Sequence, residues 1–374
     1  MSFSVEAADL DGYAKLITRA GEDIQASIDF MQKNAAIEDS IGDLWQSVFV
    51  PHGQHLSDAK SCLNGFKRIL DGSSRELAKS AKYYRQTDGD QARQLDATYP
   101  QSKADRKGDL SEAKGSSANF ADKEDASSHL KPPGGADGYV ADWAGEFSEH
   151  PLEKLAGTAL DFASPSATVL EFIKMMTGWD PLGDFVSWMA GDWESFLNCA
   201  DVWGGLADLC GSISRNIKAG NIELDGTWQG NAADAAYTYF DELGSNLLNL
   251  QETFNLLKDY YFRVSGEVYS FAEFYKGVLV DVLDLGLKAM LNWLAGSAAA
   301  GSVLGAAAAV PFYAMAALQI VRVMERWKEA TERIGAAVKY TNLAMGAINA
   351  ALAETCNRVN GFPVPGSAYD SQVA

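Results

Sequence analysis

The stretch FLNCADVWGGLADLCGSISRNI, Phe196 to Ile217, followed by DGTWQGN, Asp225 to Asn231, decides the fold class. Phe196, Cys199, Trp203, Leu206, Cys210, Ile213 and Ile217 alternate steps of three and four, which stacks them on one helical face. After the Trp228 turn the same period returns in Ala233, Tyr237, Phe240, Leu247, Phe254, Leu257, Tyr261, Val264, Val268 and Phe271. Thr227 or Asn231 is placed to cap that second helix. Helices of this length gain most of their stability from a packed apolar face, so the two are expected to pair as an antiparallel hairpin. Trp228 would cover its bend, and Gly230, two positions on, would give the backbone room to start the return.

A second hairpin pattern lies upstream. Leu10, Tyr13, Ile17, Ala20, Ile24, Ile28 and Met31 form one stripe; Leu56, Ala59, Leu63, Phe66, Leu70, Leu77, Ala81 and Tyr84 form the return. Residues 35–50 carry the turn, with Leu44-Trp45-Gln46-Ser47 in the place of Thr227-Trp228-Gln229-Gly230. Pro51 then suits the first turn of the return helix.

Between about Asp96 and Val140 the periodicity fails. Ser, Asp, Lys and Gly dominate up to Lys131-Pro132-Pro133-Gly134-Gly135, which reads as a flexible linker over 100–140. Residues 141–190 are aromatic and interrupted (Trp143, Phe147, Pro151, Pro165, Trp179, Pro181, Trp188), a pattern of short helices packed on something larger. Between Lys288 and Arg322 lie 33 residues without a charge, rich in Ala and Gly, with Pro311 breaking the run. Two readings fit Ala289–Val321: a pair of buried, closely packed helices, which Ala, Gly, Asn292, Ser297, Ser302 and Gln319 favour, or a membrane-inserting hairpin, which the length permits. A charged amphipathic helix follows to about Cys356, and the Gly/Pro/Ser stretch 361–374 reads as a disordered tail.

Composition limits the function. A formal charge of −19 opposes binding to nucleic acid and to anionic lipid by charge, and an apolar fraction of 47% supplies a substantial core. The N-terminal residues carry no basic region and no apolar stretch of the Sec or Tat type. The four cysteines, Cys62, Cys199, Cys210 and Cys356, are too scattered for a disulfide framework; Cys199 and Cys210 lie about 16 Å apart on one helix and read as core residues. His52, His55 and Asp58 share a helical face, but at a helix start such polar residues are ordinary, and no metal site is assigned. No phosphate loop, nucleophile–base pair or paired carboxylate in apolar context appears, so no catalytic residue and no cofactor is expected.

Each tryptophan turn is followed, 39 and 41 residues later, by a Tyr-x-x-x-acid: Tyr84 with Asp88, and Tyr269 with Glu273. A tyrosine and an acid four apart share a helical face, and the matched offsets suggest that each marks the far helix end. Trp-x-Gly at a bend with Tyr-x-x-x-Asp/Glu near the end of the second helix resembles the WXG-type substrates of actinobacterial ESX (type VII) secretion. Residues 1–99 are similar to the small EspC-like family, and the stretch 190–355, within a WXG-type helical domain read over 141–360, resembles EspA/EspE-like substrates; Ser47 departs from the glycine usual in the motif. The resemblance implies that Tyr84 and Asp88 form an export signal read by the secretion machinery. It also implies that a type VII ATPase or chaperone, or a co-secreted helical protein, is a partner. Two modules in one chain suggest an internal pair replacing a heterodimer.

The sequence therefore leads to an all-α, elongated helical bundle: two antiparallel hairpins plus an Ala/Gly-rich buried region. The expected function is a non-enzymatic secreted or envelope-associated substrate acting by self-assembly, as a homo-oligomer, or by partner binding. A pore-forming effector using 289–321 and an intracellular helical scaffold are the alternatives.

Overall fold

A computed structural model describes residues 3–40, 42–87, 89–99, 120–134, 165–303 and 305–365. They are overwhelmingly helical. In chain order the helices are α1 (Ala7–Asn34), α2 (Asp43–Gln86), α3 (Gly89–Asp96), α4 (Pro165–Thr177), α5 (Pro181–Met189), α6 (Trp193–Asp225), α7 (Asn231–Ala300) and α8 (Gly305–Gly361). A 3₁₀ turn spans Ala126–His129, and two two-residue strands, β1 (Ser4–Val5) and β2 (Trp228–Gln229), complete the described elements.

The apolar stripes become the buried faces. On α1, Leu10, Tyr13, Ile17 and Ile24 are sealed from solvent, and on α6 all seven positions from Phe196 to Ile217 are. Helices α1 and α2 run antiparallel. Arg85 pairs with Asp11 at one end, the Thr18 and Ser74 hydroxyls lie 2.6 Å apart midway, and His52 Nε2 lies 2.9 Å from the Ala35 carbonyl at the other end. Helices α6 and α7 are tied in the same manner, Asn221 Nδ2 donating to the Tyr237 carbonyl (2.9 Å) and Ser214 Oγ to that of Gly244 (2.7 Å).

The two pairs share one core. Tyr13 of α1 donates its hydroxyl to the Ile217 carbonyl of α6 (3.0 Å) and sets its ring edge-on to Phe240 of α7, centroids 4.9 Å apart. Helix α8 returns along α7, where the Thr253 and Thr355 hydroxyls meet at 2.9 Å, and also covers α2, where Cys356 Sγ donates to the Asp58 carbonyl at 3.2 Å. Cys62 and Cys356, far apart in sequence, thus come into side-chain contact, with all four cysteines buried and free.

Several expectations need correction. Helix α2 begins at Asp43, so Trp45, Ser47 and Pro51 lie inside it, and the bend is 35–42. Ser47 makes no room for a turn; its hydroxyl bonds back to the Leu44 carbonyl at 2.6 Å. Pro311 does not break the apolar run: it sits in the second turn of α8, close to the end where few backbone donors have helical partners to lose. Residues 120–134, read as flexible linker, form an ordered strap across α1 and α6. Asn216 Oδ1 accepts the backbone N–H of Lys123 and Glu124 (2.9 and 3.0 Å), and Phe120 is buried beside Tyr13. The rest of the linker and residues 141–164 lie outside the described residues; α4 and α5, the described remainder of the aromatic segment, pack on α7, where Tyr275 donates to the Pro181 carbonyl (2.7 Å). Of the tail, Phe362 is buried and the Pro363 carbonyl accepts from Tyr239 (3.0 Å).

The largest correction concerns Ala289–Val321. These residues form the tip of the α7–α8 pair, beyond the reach of α4, and the tip is exposed rather than buried. Only 22% of the most apolar 18-residue window of α8 is buried.

Candidate functional site

Three places gather the residues singled out by sequence. The first is the end of the bundle where the α6–α7 turn meets the chain start and the end of α2. Strand β1 pairs antiparallel with β2, Ser4 opposite Gln229 and Val5 opposite Trp228, and Glu6 N–H adds a bond to the Thr227 carbonyl (3.0 Å). Trp228 is buried, and the Tyr84 ring meets it edge-to-face with centroids 6.2 Å apart; Phe3 closes the other side of Tyr84 at 6.1 Å. The Trp228 Nε1–H is buried without an acceptor in good hydrogen-bond geometry, although it lies near enough to the Tyr84 hydroxyl to favour ionisation slightly. Burial prevails and pushes the Tyr84 phenol well above its ordinary range, so it stays a neutral donor.

The turn itself explains its glycine. Gly230 has φ of +139°, a conformation that side-chain-bearing residues rarely adopt, and a Cβ there would come within 2.7 Å of both Asp96 carboxylate oxygens. Asp96, at the end of α3, accepts the backbone N–H of Asn231 (3.0 Å) and Ala232 (2.9 Å), and its carbonyl takes the Asn231 side-chain amide (3.2 Å). The N-cap of α7 is therefore supplied from 135 residues upstream, in place of Thr227 or Asn231, and the carboxylate faces the positive end of the helix dipole. Tyr84 and Trp228, predicted separately, are brought together here; Asp88 lies outside the described residues.

The second place is the opposite end of the four-helix part. Trp45 is fully buried, edge-on to Trp193 (5.0 Å) and Phe196 (6.2 Å), and Gly191 lies so close to the indole that a Cβ would meet it at 2.5 Å. Gly42 N–H donates to the Ala190 carbonyl (3.0 Å), so the α1–α2 bend is stitched to the start of α6. Just inside, His52 Nδ1 and His55 Nδ1 lie 2.7 and 3.0 Å from the Tyr261 hydroxyl. His52 Nε2 can only donate to the Ala35 carbonyl, so its Nδ1 accepts from Tyr261, whose oxygen then takes the His55 Nδ1–H. His55 Nε2 is buried without a hydrogen-bond partner in good geometry, although the Met345 backbone stands close enough to favour the protonated ring. Desolvation lowers both imidazoles to about 4, and both are neutral at pH 7. The arrangement is a core polar network, and among the described residues no three metal-ligating side chains converge.

The third is the tip. Leu291, Leu294, Val310 and Leu318 are all more than half exposed, as are Val303 at the apex and Val321 at the base; Ala289 faces inward. Tyr269 and Glu273 do not mark a helix end, because α7 continues past them to Ala300 as one 70-residue helix. Tyr269 is half-buried and Glu273 is exposed, pairing with Lys276 at 3.7 Å.

Sequence reasoning missed Asp96, β1 and the link from the Tyr261 hydroxyl to the two histidines, all long-range contacts. The histidines carried a signal: Val48, His52, His55, Ala59, Cys62 and Phe66 continue one three–four stripe, which places both imidazoles on the core face. No family model, curated protein or solved structure matches this chain.

Proposed function

We propose that this chain is a non-enzymatic substrate of a type VII (ESX) secretion system, in which two antiparallel helical hairpins, the second carrying the Trp-x-Gly turn, form an internal pair in place of two separate chains. The observation that carries the reading is the meeting of Tyr84 with Trp228. Tyr84 of the first hairpin and the Trp-x-Gly turn of the second stand at one end of the bundle, held by β1–β2 pairing and the Asp96 cap. What supports the reading is that the packing of Tyr84 between Phe3 and Trp228 gives the signal a fixed shape at one end of the bundle. Once outside, the protein acts at the envelope or beyond it by self-association or partner binding.

The test compares culture filtrate with lysate in the native host for wild type, Tyr84→Ala, Tyr84→Phe and a type VII ATPase deletion. Wild type in the filtrate, lost on ATPase deletion and on Tyr84→Ala, supports the reading. Tyr84→Phe keeps the ring contact with Trp228 and reports on the hydroxyl alone; circular dichroism of the purified variants separates a lost signal from a lost fold. Wild type retained inside the cell sinks the reading and leaves an intracellular helical scaffold.

A further inference from the structure

We infer that the α7–α8 tip, Ala289–Val321, is a lipid-inserting element that enters one side of a bilayer as a re-entrant helix pair. The inference does not depend on the export route. Its first support is the direction of the exposed apolar side chains. The inward positions Ala289 and Gly296 of α7 and Ala309 and Ala316 of α8 define the seam between the helices. At 100° per residue, Leu287, Leu291 and Leu294 fall on the far side of α7, and Val310, Leu318 and Val321 on the far side of α8. These two faces point away from each other. A single protein partner covers one of them; a hydrocarbon medium covers both, and a helix pair apolar all round belongs in such a medium.

The second support is the treatment of polar groups. Inside hydrocarbon every donor must find its acceptor within the segment. Asn292 Nδ2 donates to the Lys288 carbonyl (2.9 Å), Ser297 Oγ to that of Trp293 (3.0 Å), and Ser302 Oγ to that of Ala299 (2.6 Å). At the apex the backbone N–H of Gly301, Ser302 and Gly305 bond to the carbonyls of Ser297, Ala299 and Ser302 at 3.0 to 3.2 Å. These groups are satisfied without water; Gln319 Oε1, also in the tip, is buried with no partner. The third support is the boundary: charge resumes at one level, where Asp284 pairs with Lys288 (2.5 Å) and Asp281 with Arg326 (2.8 Å), with Arg322 beside them in an open cleft. Above this collar the uncharged part of α8 is about 24 Å long, enough to pass the middle of a hydrocarbon core of about 30 Å and too short to cross it. Both helices therefore return to the same side. The tip has no continuous polar stripe to line an aqueous pore, so it acts as an anchor.

The experiment is flotation of the purified full chain at pH 7 with phosphatidylcholine vesicles, and with vesicles containing anionic lipid, at low and high salt. Wild type should float with the neutral vesicles, and high salt should not release it, because the tip carries no charge for lipid to attract. Leu291→Asp and Leu318→Asp, one on each outward face, should each weaken partition on the order of a hundredfold. Both positions are exposed in water, so the thermal unfolding of these variants should match wild type. The inference is overturned if wild type fails to float or needs anionic lipid. It is overturned equally if either variant floats like wild type. Tip-dependent oligomers in sedimentation without flotation would make the tip a self-association surface instead.

Discussion

Gly230 and Asp96 are a matched pair in which each residue restricts the other. The backbone at Gly230 holds a positive φ, and the space a side chain would need is filled by the carboxylate that caps α7. Gly230→Ala is therefore expected to destabilise by about 2–4 kcal/mol, combining strained backbone with a displaced cap. Asp96→Ala should cost about 1–2 kcal/mol, since it leaves two helix N-terminal donors unpaired. Together they should cost less than the sum, because the Ala at 230 has already moved the cap. Urea unfolding midpoints of the two variants and the double check this; strict additivity would contradict the shared mechanism. The histidines give a pH dependence. Each protonates near 6.5 when unfolded and near 4 when folded, so between those values the unfolded state binds more protons and stability falls as pH falls. The loss reaches at most about 3 kcal/mol per imidazole and is complete near pH 4. Asp23 works the other way. Burial, then Asp122, Asp125 and Glu22, raises it to about 6 against Arg19, so the folded state takes up its proton first and stability rises as pH falls from 6. Urea midpoints from pH 7.5 to 4.5 should therefore fall gently in wild type. They should fall more steeply in Asp23→Asn and more shallowly in His55→Gln.

At the scale of elements, what could be read from sequence was what one element carries by itself. The stripes of α1, α2, α6 and α7 identify their buried faces because each repeats over many turns. Element ends were less legible. Nothing local stops α7 near Tyr269: no proline intervenes before Ala300, and packing against α4, α5 and α8 sustains the helix beyond the motif. The apolar tip misled by composition, since Ala and Gly suit close packing, yet the packing they permit is only between two helices. The 120–134 strap has no periodicity to read; what fixes it sits on α6. Asn216 is buried, accepts two strap N–H groups and donates to the Glu124 carbonyl (2.8 Å), while Arg215 grips the Glu124 carboxylate through two bonds of 2.6 Å. The Arg215 bonds, with one from the Ser212 hydroxyl, hold the half-buried Glu124 carboxyl down to about 2. Asn216→Ala should release the strap, with trypsin cutting after Lys123 faster while the helical circular dichroism is retained. Cleavage at the wild-type rate would mean that Phe120 and its burial against Tyr13 suffice to hold it.

At the scale of the whole molecule, one helix joins the two functional proposals. Helix α7 starts at the Trp228 turn, where Tyr84 and Asp96 meet, and ends at the apolar tip, 70 residues and about 100 Å later. Among the described residues no core residue bridges the two ends directly: the Tyr84 junction is sealed by Phe3, β1 and α3, whereas the tip touches, of the described elements, only its own partner helix. Perturbations at one end should therefore leave the other intact, as expected for sites without shared partners. Replacing Ala289–Val321 with a short Gly/Ser turn should preserve the Gly230-sensitive unfolding transition, and export if the secretion reading holds, while removing vesicle binding. The same variant tests the shape. A compact chain of this length has a radius of gyration of about 21 Å. The full protein should scatter with a clearly larger radius and a maximum dimension near or above 100 Å, and removal of the tip should shorten that dimension by about 20 Å. A wild-type radius near the compact value would mean that the tip folds back on the bundle in solution, and its apolar faces would then be covered by this chain's own surface instead of by lipid.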